Sequence, residues 1–255
     1  MSQLHFNSIK TTDVSLGWAQ AFLKTRAAVK QEVIPLLLTI NDIDSDTPIE
    51  TPRIRQLLDD DLVSKSLPSS ATVASTIFPI SMWNSKLPRH ALFKRYKDAL
   101  PQLKKCAQNR NGIYFERLIA YGKNDYNQLD FFLDSRNKTG NRRRSVLQAV
   151  IVEPEKDQTN QRMRGFPCMQ HVSFAPFGRD ELAVNGFYGT QYIYQKAYGN
   201  YLGLINLGRF VAHELGRRLT QANCFTGIAQ LGTNKKETAE LAFELEKLVG
   251  EYNFE

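Results

Sequence analysis

The sequence is poor in the residues that staple a chain or anchor it. Its three cysteines, Cys106, Cys168 and Cys224, cannot all pair and form no CxxC. That excludes a disulfide scaffold and a thiolate zinc cluster, and makes a reducing cytoplasm the expected compartment. Four scattered histidines give no metal-ligand spacing, so no metal is expected. The longest apolar run, Val33 to Leu38, is far short of the ~20 residues of a membrane helix. The opening residues MSQLHFNSIK lack the apolar segment of a signal peptide. No internal repeat is visible, which argues against a solenoid. There is no P-loop, no GxGxxG after a strand and no HExxH.

What remains is the composition of a folded protein. Of 255 residues, 42% are hydrophobic and 23% charged, enough to bury a substantial core. Lys and Arg number 33 against 26 Asp and Glu, a net +7 that suits an anionic partner such as a nucleotide or nucleic acid. The basic stretch 89–105, with Arg89, Lys94, Arg95, Lys97, Lys104 and Lys105, lacks the aromatic interleaving of a stacking platform. It reads as a solvated helix face rather than a nucleic-acid stripe.

The pattern of apolar residues predicts one α+β domain over 1–255 with no linker. Residues 13–30 place Val14, Trp18, Ala21, Phe22, Thr25 and Val29 on one helical face behind an N-cap at Thr12 or Asp13. Val33–Ile40 predicts a buried strand, with Pro35 putting it near an edge or a bulge. Residues 41–70 predict a surface excursion with a short helix around Arg53–Leu62. Helices are predicted over 89–107, with Leu92, Tyr96, Ala99 and Leu103 inward, and over Gln128–Asp134. Strands are predicted at Ser145–Val152, Cys168–Phe174, Leu182–Tyr194 and Asn223–Leu231, with a hairpin turn at Gly178-Arg179-Asp180. Leu204, Leu207, Val211, Leu215 and Leu219 recur at helical spacing, and Lys235–Gly250 predicts a closing amphipathic helix.

Few residues stand out as chemical. Cys168 follows Gly165-Phe166-Pro167 and opens an extended run, a place from which a thiol can line a cleft. Ionised, it is the most nucleophilic side chain; buried, a lone cysteine is ordinarily a small hydrophobe. Strand alternation puts His171 on the opposite side from Cys168, which argues against a Cys–His dyad. Arg142, Arg143 and Arg144 follow a polar loop, and guanidinium forks bind phosphate bidentately, although a bare basic turn is commonly just solvated. Residues 186–203, rich in Tyr and Gly, either wall a planar ligand or form a strand-to-helix corner packed by tyrosines.

The order of these features resembles the thymidylate synthase and pyrimidine hydroxymethylase superfamily. Asn127-Gln128 opens a helix, Arg143-Arg144 leads into a strand, Pro167-Cys168 follows a loop with Phe174 six residues on, and a Tyr-rich corner carries Gly199-Asn200. Ala212 and Gly216 follow in the next helix. Gly112 to Arg117 matches the family's tyrosine–glycine–arginine turn more loosely, and the likeness is clearest over 108–232.

The resemblance implies a large mixed sheet covered by helices, a homodimer paired through that sheet, and a pyrimidine nucleotide site. Cys168 would add to C6 of the base and make C5 carbanion-like, ready for a one-carbon unit from methylene tetrahydrofolate. Arg143 and Arg144 would grip the 5′-phosphate bound to the neighbouring subunit. Asn200 would read the base, and Arg117 and Tyr192 would also lie at the substrate. Several positions depart from the family. Its arginine–serine–x–aspartate falls on Gly189, Thr190, Gln191 and Tyr192. Its histidine–x–tyrosine falls in Gln230 to Thr233, its glutamate in the carboxylate-free stretch Thr76–Trp83, and the histidine after the nucleophile is Met169. The expectation is therefore a divergent C5 methyl- or hydroxymethyltransferase or, alternatively, a catalytically inert nucleotide-binding or interaction protein of the same fold. A nucleic-acid binder using the +7 charge is a third reading, and steep salt dependence would mark it.

Overall fold

Asp13 shows how locally the first helix is started. Its carboxylate accepts hydrogen bonds from the Ser15 and Leu16 amides at 2.6 and 3.0 Å, the N-cap arrangement, and also from the Thr51 hydroxyl at 2.9 Å. The structure, a computed structural model, describes residues 7–43, 49–140, 143–161 and 165–252. Its strands are β1 (Asn7–Thr11), β2 (Glu32–Val33), β3 (Leu36–Asn41), β4 (Gln148–Val150), β5 (Met169–Phe177), β6 (Glu181–Tyr192) and β7 (Arg218–Gln230). Its helices are α1 (Val14–Ala27), α2 (Pro52–Ser64), α3 (Ser70–Ile77), α4 (Arg89–Leu103), α5 (Tyr114–Ile119), α6 (Gln128–Asn137), the single turn α7 (Pro154–Asp157), α8 (Tyr198–Glu214) and α9 (Ala239–Tyr252).

The strands form one mixed sheet in the order β1-β3-β7-β6-β5-β4, with β2 also on β7. β1 and β3 are parallel, as are β6 and β7, while β3–β7, β5–β6 and β4–β5 are antiparallel. The fold class is α+β, a large mixed sheet covered by helices. One face carries the core: Leu36, Leu38, Val172, Phe174, Leu182, Val184 and Cys224 are all buried. Central on that face is α8, buried nearly all round, with Leu204 filling the space that a side chain at Gly186 would take. On its other side, Gly199 and Gly203 let α3 approach. A Cβ at Gly199 would lie 2.5 Å from the Ser70 carbonyl oxygen and 2.5 Å from Val73 Cβ.

Several expected boundaries move. The predicted strand Val33–Ile40 is two strands, and Pro35 sits in the gap between them. β3 lies inside the sheet between β1 and β7 rather than at an edge; a residue without an N–H is accommodated because pairing lapses there. The predicted strand Ser145–Val152 shortens to Gln148–Val150, after a helical turn at Arg144–Val146. Leu215, Gly216 and Leu219 lie beyond α8: Gly216 takes a left-handed φ of 62°, which turns the chain into β7. Arg89 is not on a solvated face. Its guanidinium, 12% exposed, binds Asp130 at 2.7 Å, Asp134, and Glu214 at 3.4 Å, tying α4 to α6 and α8. Arg142 lies outside the described residues.

Candidate functional site

Cys168 stands immediately before β5, and the chain is tied down on both sides of it. Its carbonyl accepts from the Gly189 amide at 3.1 Å, so the β5–β6 ladder reaches the cysteine itself. Its own amide and that of Met169 donate to the Tyr114 hydroxyl at 3.3 and 3.5 Å. Tyr114 opens α5, and its ring lies against Phe166 at a centroid distance of 5.1 Å. Phe166 is packed in turn by Gly112, whose φ is +142° and where a Cβ would come within 2.6 Å of the ring. Arg117 lies over the same ring at 5.4 Å.

Arg117 is 4% exposed, and its fork is occupied by Glu153 and by Asp157 at 3.0 Å. It therefore supports the Phe166-Pro167-Cys168 segment from behind. A polar cavity of about 380 Å³ opens on the side of Gly112 and Arg117, lined also by Lys104, Arg110, Glu116 and Lys156.

The electrostatics around the thiol are set by burial and one cation. Burial pushes the Cys168 thiol above its ordinary value, and the Lys196 ammonium pulls it back. Burial lowers Lys196 from the usual lysine value, and Cys168 raises it. Tyr114 and Tyr188 are raised, chiefly by burial, so both remain protonated phenols. Tyr188 is 1% exposed and interacts electrostatically with Cys168, Tyr114, Cys224 and Tyr201, yet its hydroxyl has no hydrogen-bond partner among the described residues.

The remaining expected residues scatter. Asn200 is 4% exposed in the first turn of α8, four residues after Lys196. Tyr192 ends β6 and packs its ring over Gly232. Arg143 and Arg144 are exposed before β4. Because Gln148 pairs with Ser173, they lie toward the far end of β5, separated from Cys168 by roughly 16 Å of strand. Gly189, where the family has an arginine, is approached instead by the Gln170 amide.

His171 lies on the opposite face, bonded to Gln148 at 2.9 Å and with its ring tilted against that of Phe187. The alternation argument is modified by an irregularity between Met169 and His171, which buries Met169 with Val172 and leaves Gln170 exposed. The tyrosine-rich segment proves to be a packed corner. Tyr194 donates to Asp61 at 2.5 Å, Tyr198 to Glu50 at 2.5 Å and Tyr201 to Gln191 at 3.5 Å.

Lys196 and Tyr188 carried no motif in the sequence, and Tyr114 fell within a loose match. The available signal for Lys196 was that it is the single charged residue between Gly186 and Gly203. Among the described residues, no helix is long and apolar enough to cross a membrane, and no three His, Cys, Asp or Glu side chains gather as metal ligands. No protein-family model and no curated protein matches the chain.

Proposed function

We propose that this chain is a divergent member of the thymidylate synthase and pyrimidine hydroxymethylase superfamily that uses Cys168 as a nucleophile on a pyrimidine nucleotide, as a C5 methyl- or hydroxymethyltransferase. The carrying observation is the setting of Cys168: a half-buried thiol at the head of a sheet strand, anchored through Tyr114 and Gly189. On this reading the sulfur adds to C6 of the ring, and the C5=C6 electron pair moves away from the new bond. Asn200 is the candidate for reading the base. Arg143 and Arg144 are too far along the sheet to serve Cys168 of their own chain, so their phosphate contact comes from a second subunit. The tyrosines best suited by type to stack a pterin hold core positions. The described residues thus assign no site to methylene tetrahydrofolate, and that donor rests on the resemblance alone.

A second reading, nucleotide binding or protein interaction without turnover, is favoured by one observation. The stretch 76–83 has no carboxylate, and its Ile77 and Phe78 are fully buried. A lost general acid or base costs roughly 100- to 10,000-fold in rate. A thermal-shift panel of pyrimidine monophosphates, with and without a methylene-folate analogue, on wild type and Cys168→Ala, separates the readings. Ligand at 100 times its Kd should stabilise by about 2.7 kcal/mol. Stabilisation that folate strengthens and Cys168→Ala weakens supports the transferase. Stabilisation indifferent to both supports the inert binder, and a flat panel overturns the nucleotide reading.

A further inference from the structure

The structure assigns a docking site for an anionic lipid surface to the corner where the end of α1, the turn before β2 and the turn before α9 meet. Hydrogen bonds hold that corner together. The Arg26 guanidinium donates to the Lys235 carbonyl at 3.4 Å, and the Leu231 amide donates to the Gln31 carbonyl at 3.0 Å. Between them, β2 pairs Glu32 with Gln230 and Val33 with Ala229. Residues 24–34 and 229–237 therefore share one corner, and they bring Lys24, Arg26, Lys30, Lys235 and Lys236 to it. None of these five cations has a carboxylate partner among the described residues. The two carboxylates of the same stretches, Glu32 and Glu237, accept from the Gln230 amide and the Thr233 hydroxyl. Lys65 also reaches the corner, at the Glu237 carbonyl, with Asp61 as its counter-ion. The corner thus carries an excess of positive charge.

Lys24 and Arg26 suit the C-terminal end of α1, where the helix dipole attracts cations. The other residues run against local preference. Lys30 and Gln31 have left-handed φ values of 57° and 58°, a conformation that glycine adopts freely and a residue with a Cβ adopts at a cost. Lys235 and Lys236 open the helical turn Lys235–Thr238 that runs into α9, at the end where the dipole repels cations. Val29 sits in the turn closed by the Gln31 amide on the Ala28 carbonyl, and it is 87% exposed. Ile34, on the other side of the two-residue β2, is 53% exposed. Sites where several local rules fail together are commonly functional. A projecting aliphatic tip among lysines matches a layer of anionic headgroups over hydrocarbon: the valine enters the acyl boundary while the ammonium groups stay at the phosphates. A nucleic-acid backbone would use the same lysines and gain nothing from the valine. An apolar tip with a basic patch attaches reversibly to a surface and implies no membrane span. The site is independent of Cys168.

The test is co-sedimentation of the full chain with vesicles of phosphatidylcholine alone and of phosphatidylcholine containing about 30% phosphatidylserine. The chain should bind the anionic vesicles, leave the neutral ones in solution, and dissociate as salt rises. Each lysine near an anionic surface strengthens binding about fivefold, so Lys235→Gln combined with Lys236→Gln should weaken it about 25-fold. Val29→Ser should weaken it about tenfold. Lys30→Gly separates binding from folding. It should weaken vesicle binding about fivefold while the melting temperature holds or rises, because glycine relieves the left-handed backbone. The four side chains changed are all exposed, so these variants leave the core intact. No binding to anionic vesicles overturns the inference, as does binding that the paired lysine change leaves undiminished. Undiminished binding in Val29→Ser, with equal affinity for oligo-dT, would make the corner a nucleic-acid site and overturns it too.

Discussion

Burial makes each of the two core-facing cysteines hold its proton. Cys224 is the stronger case: enclosed beside Gln191 and Thr226, it is pushed from 9.0 to about 12 by desolvation. The folded state keeps this proton where the unfolded chain loses it. Above pH 9 the unfolded state binds fewer protons, so stability falls as pH rises, until the folded thiol also ionises near pH 12. One pH unit above the unfolded value, the loss is about 1.4 kcal/mol. Cys224→Ser removes the titration and retains a hydroxyl for the same neighbours. Melting temperatures measured between about pH 8 and pH 10 should fall less steeply in Cys224→Ser than in wild type. Parallel slopes would assign the alkaline loss to Tyr188 and Tyr201 instead.

Among the elements, α8 and α3 form the tightest joint. Gly199 and Gly203 lie one turn apart and leave no room for a methyl group, and at Gly199 the obstacles are backbone and Cβ rather than a flexible side-chain end. Gly199→Ala should therefore force the helices apart and destabilise by about 1–3 kcal/mol, measured by denaturant unfolding. A change near zero would mean that the joint can slide. The glycine pair was visible in the sequence, but its partner was not. α3 lies more than a hundred residues earlier in the sequence. Local features were more legible. Asp13 as N-cap and the Gly178–Asp180 turn both act within a few residues of themselves.

The whole molecule has a sheet with two unlike faces. The helices cover one. The other presents a band of hydrogen-bonded side chains across four strands: Thr39 donates to Asn223 at 2.9 Å, Asn223 to Asn185 at 2.8 Å and Asn185 to Ser173 at 3.3 Å. Beside it runs an aromatic row, His171–Phe187–Phe225, with ring spacings of 5.3 and 6.3 Å. Phe187 and Phe225 are 38% and 36% exposed, and Val150 and Phe177 are similarly open. We propose this face as the surface of the homodimer that the resemblance implies. Sedimentation should give twice the 29.1 kDa chain mass for wild type and the single mass for Phe187→Glu, because a carboxylate at the centre of the row would be buried without a partner. A monomeric wild type would sink the dimer and, with it, the phosphate role of both arginines.

Periodicity and turn chemistry determined most of the elements, because apolar spacing, caps and glycines act over one or two turns. They also singled out Cys168 and separated it from His171, since a strand's alternation is local. Tertiary structure decided the rest. The interior position of β3 depends on pairing with β7, some 180 residues away in sequence. Arg89 read as a surface cation and Arg117, by resemblance, as a substrate contact, yet carboxylates from distant segments neutralise both and permit their burial. Lys196, the single charge of the tyrosine-rich segment, is half-buried in the turn before α8. Residue types declare their chemistry in the sequence, but charge pairing and desolvation depend on which segments meet, and only the folded chain brings those segments together.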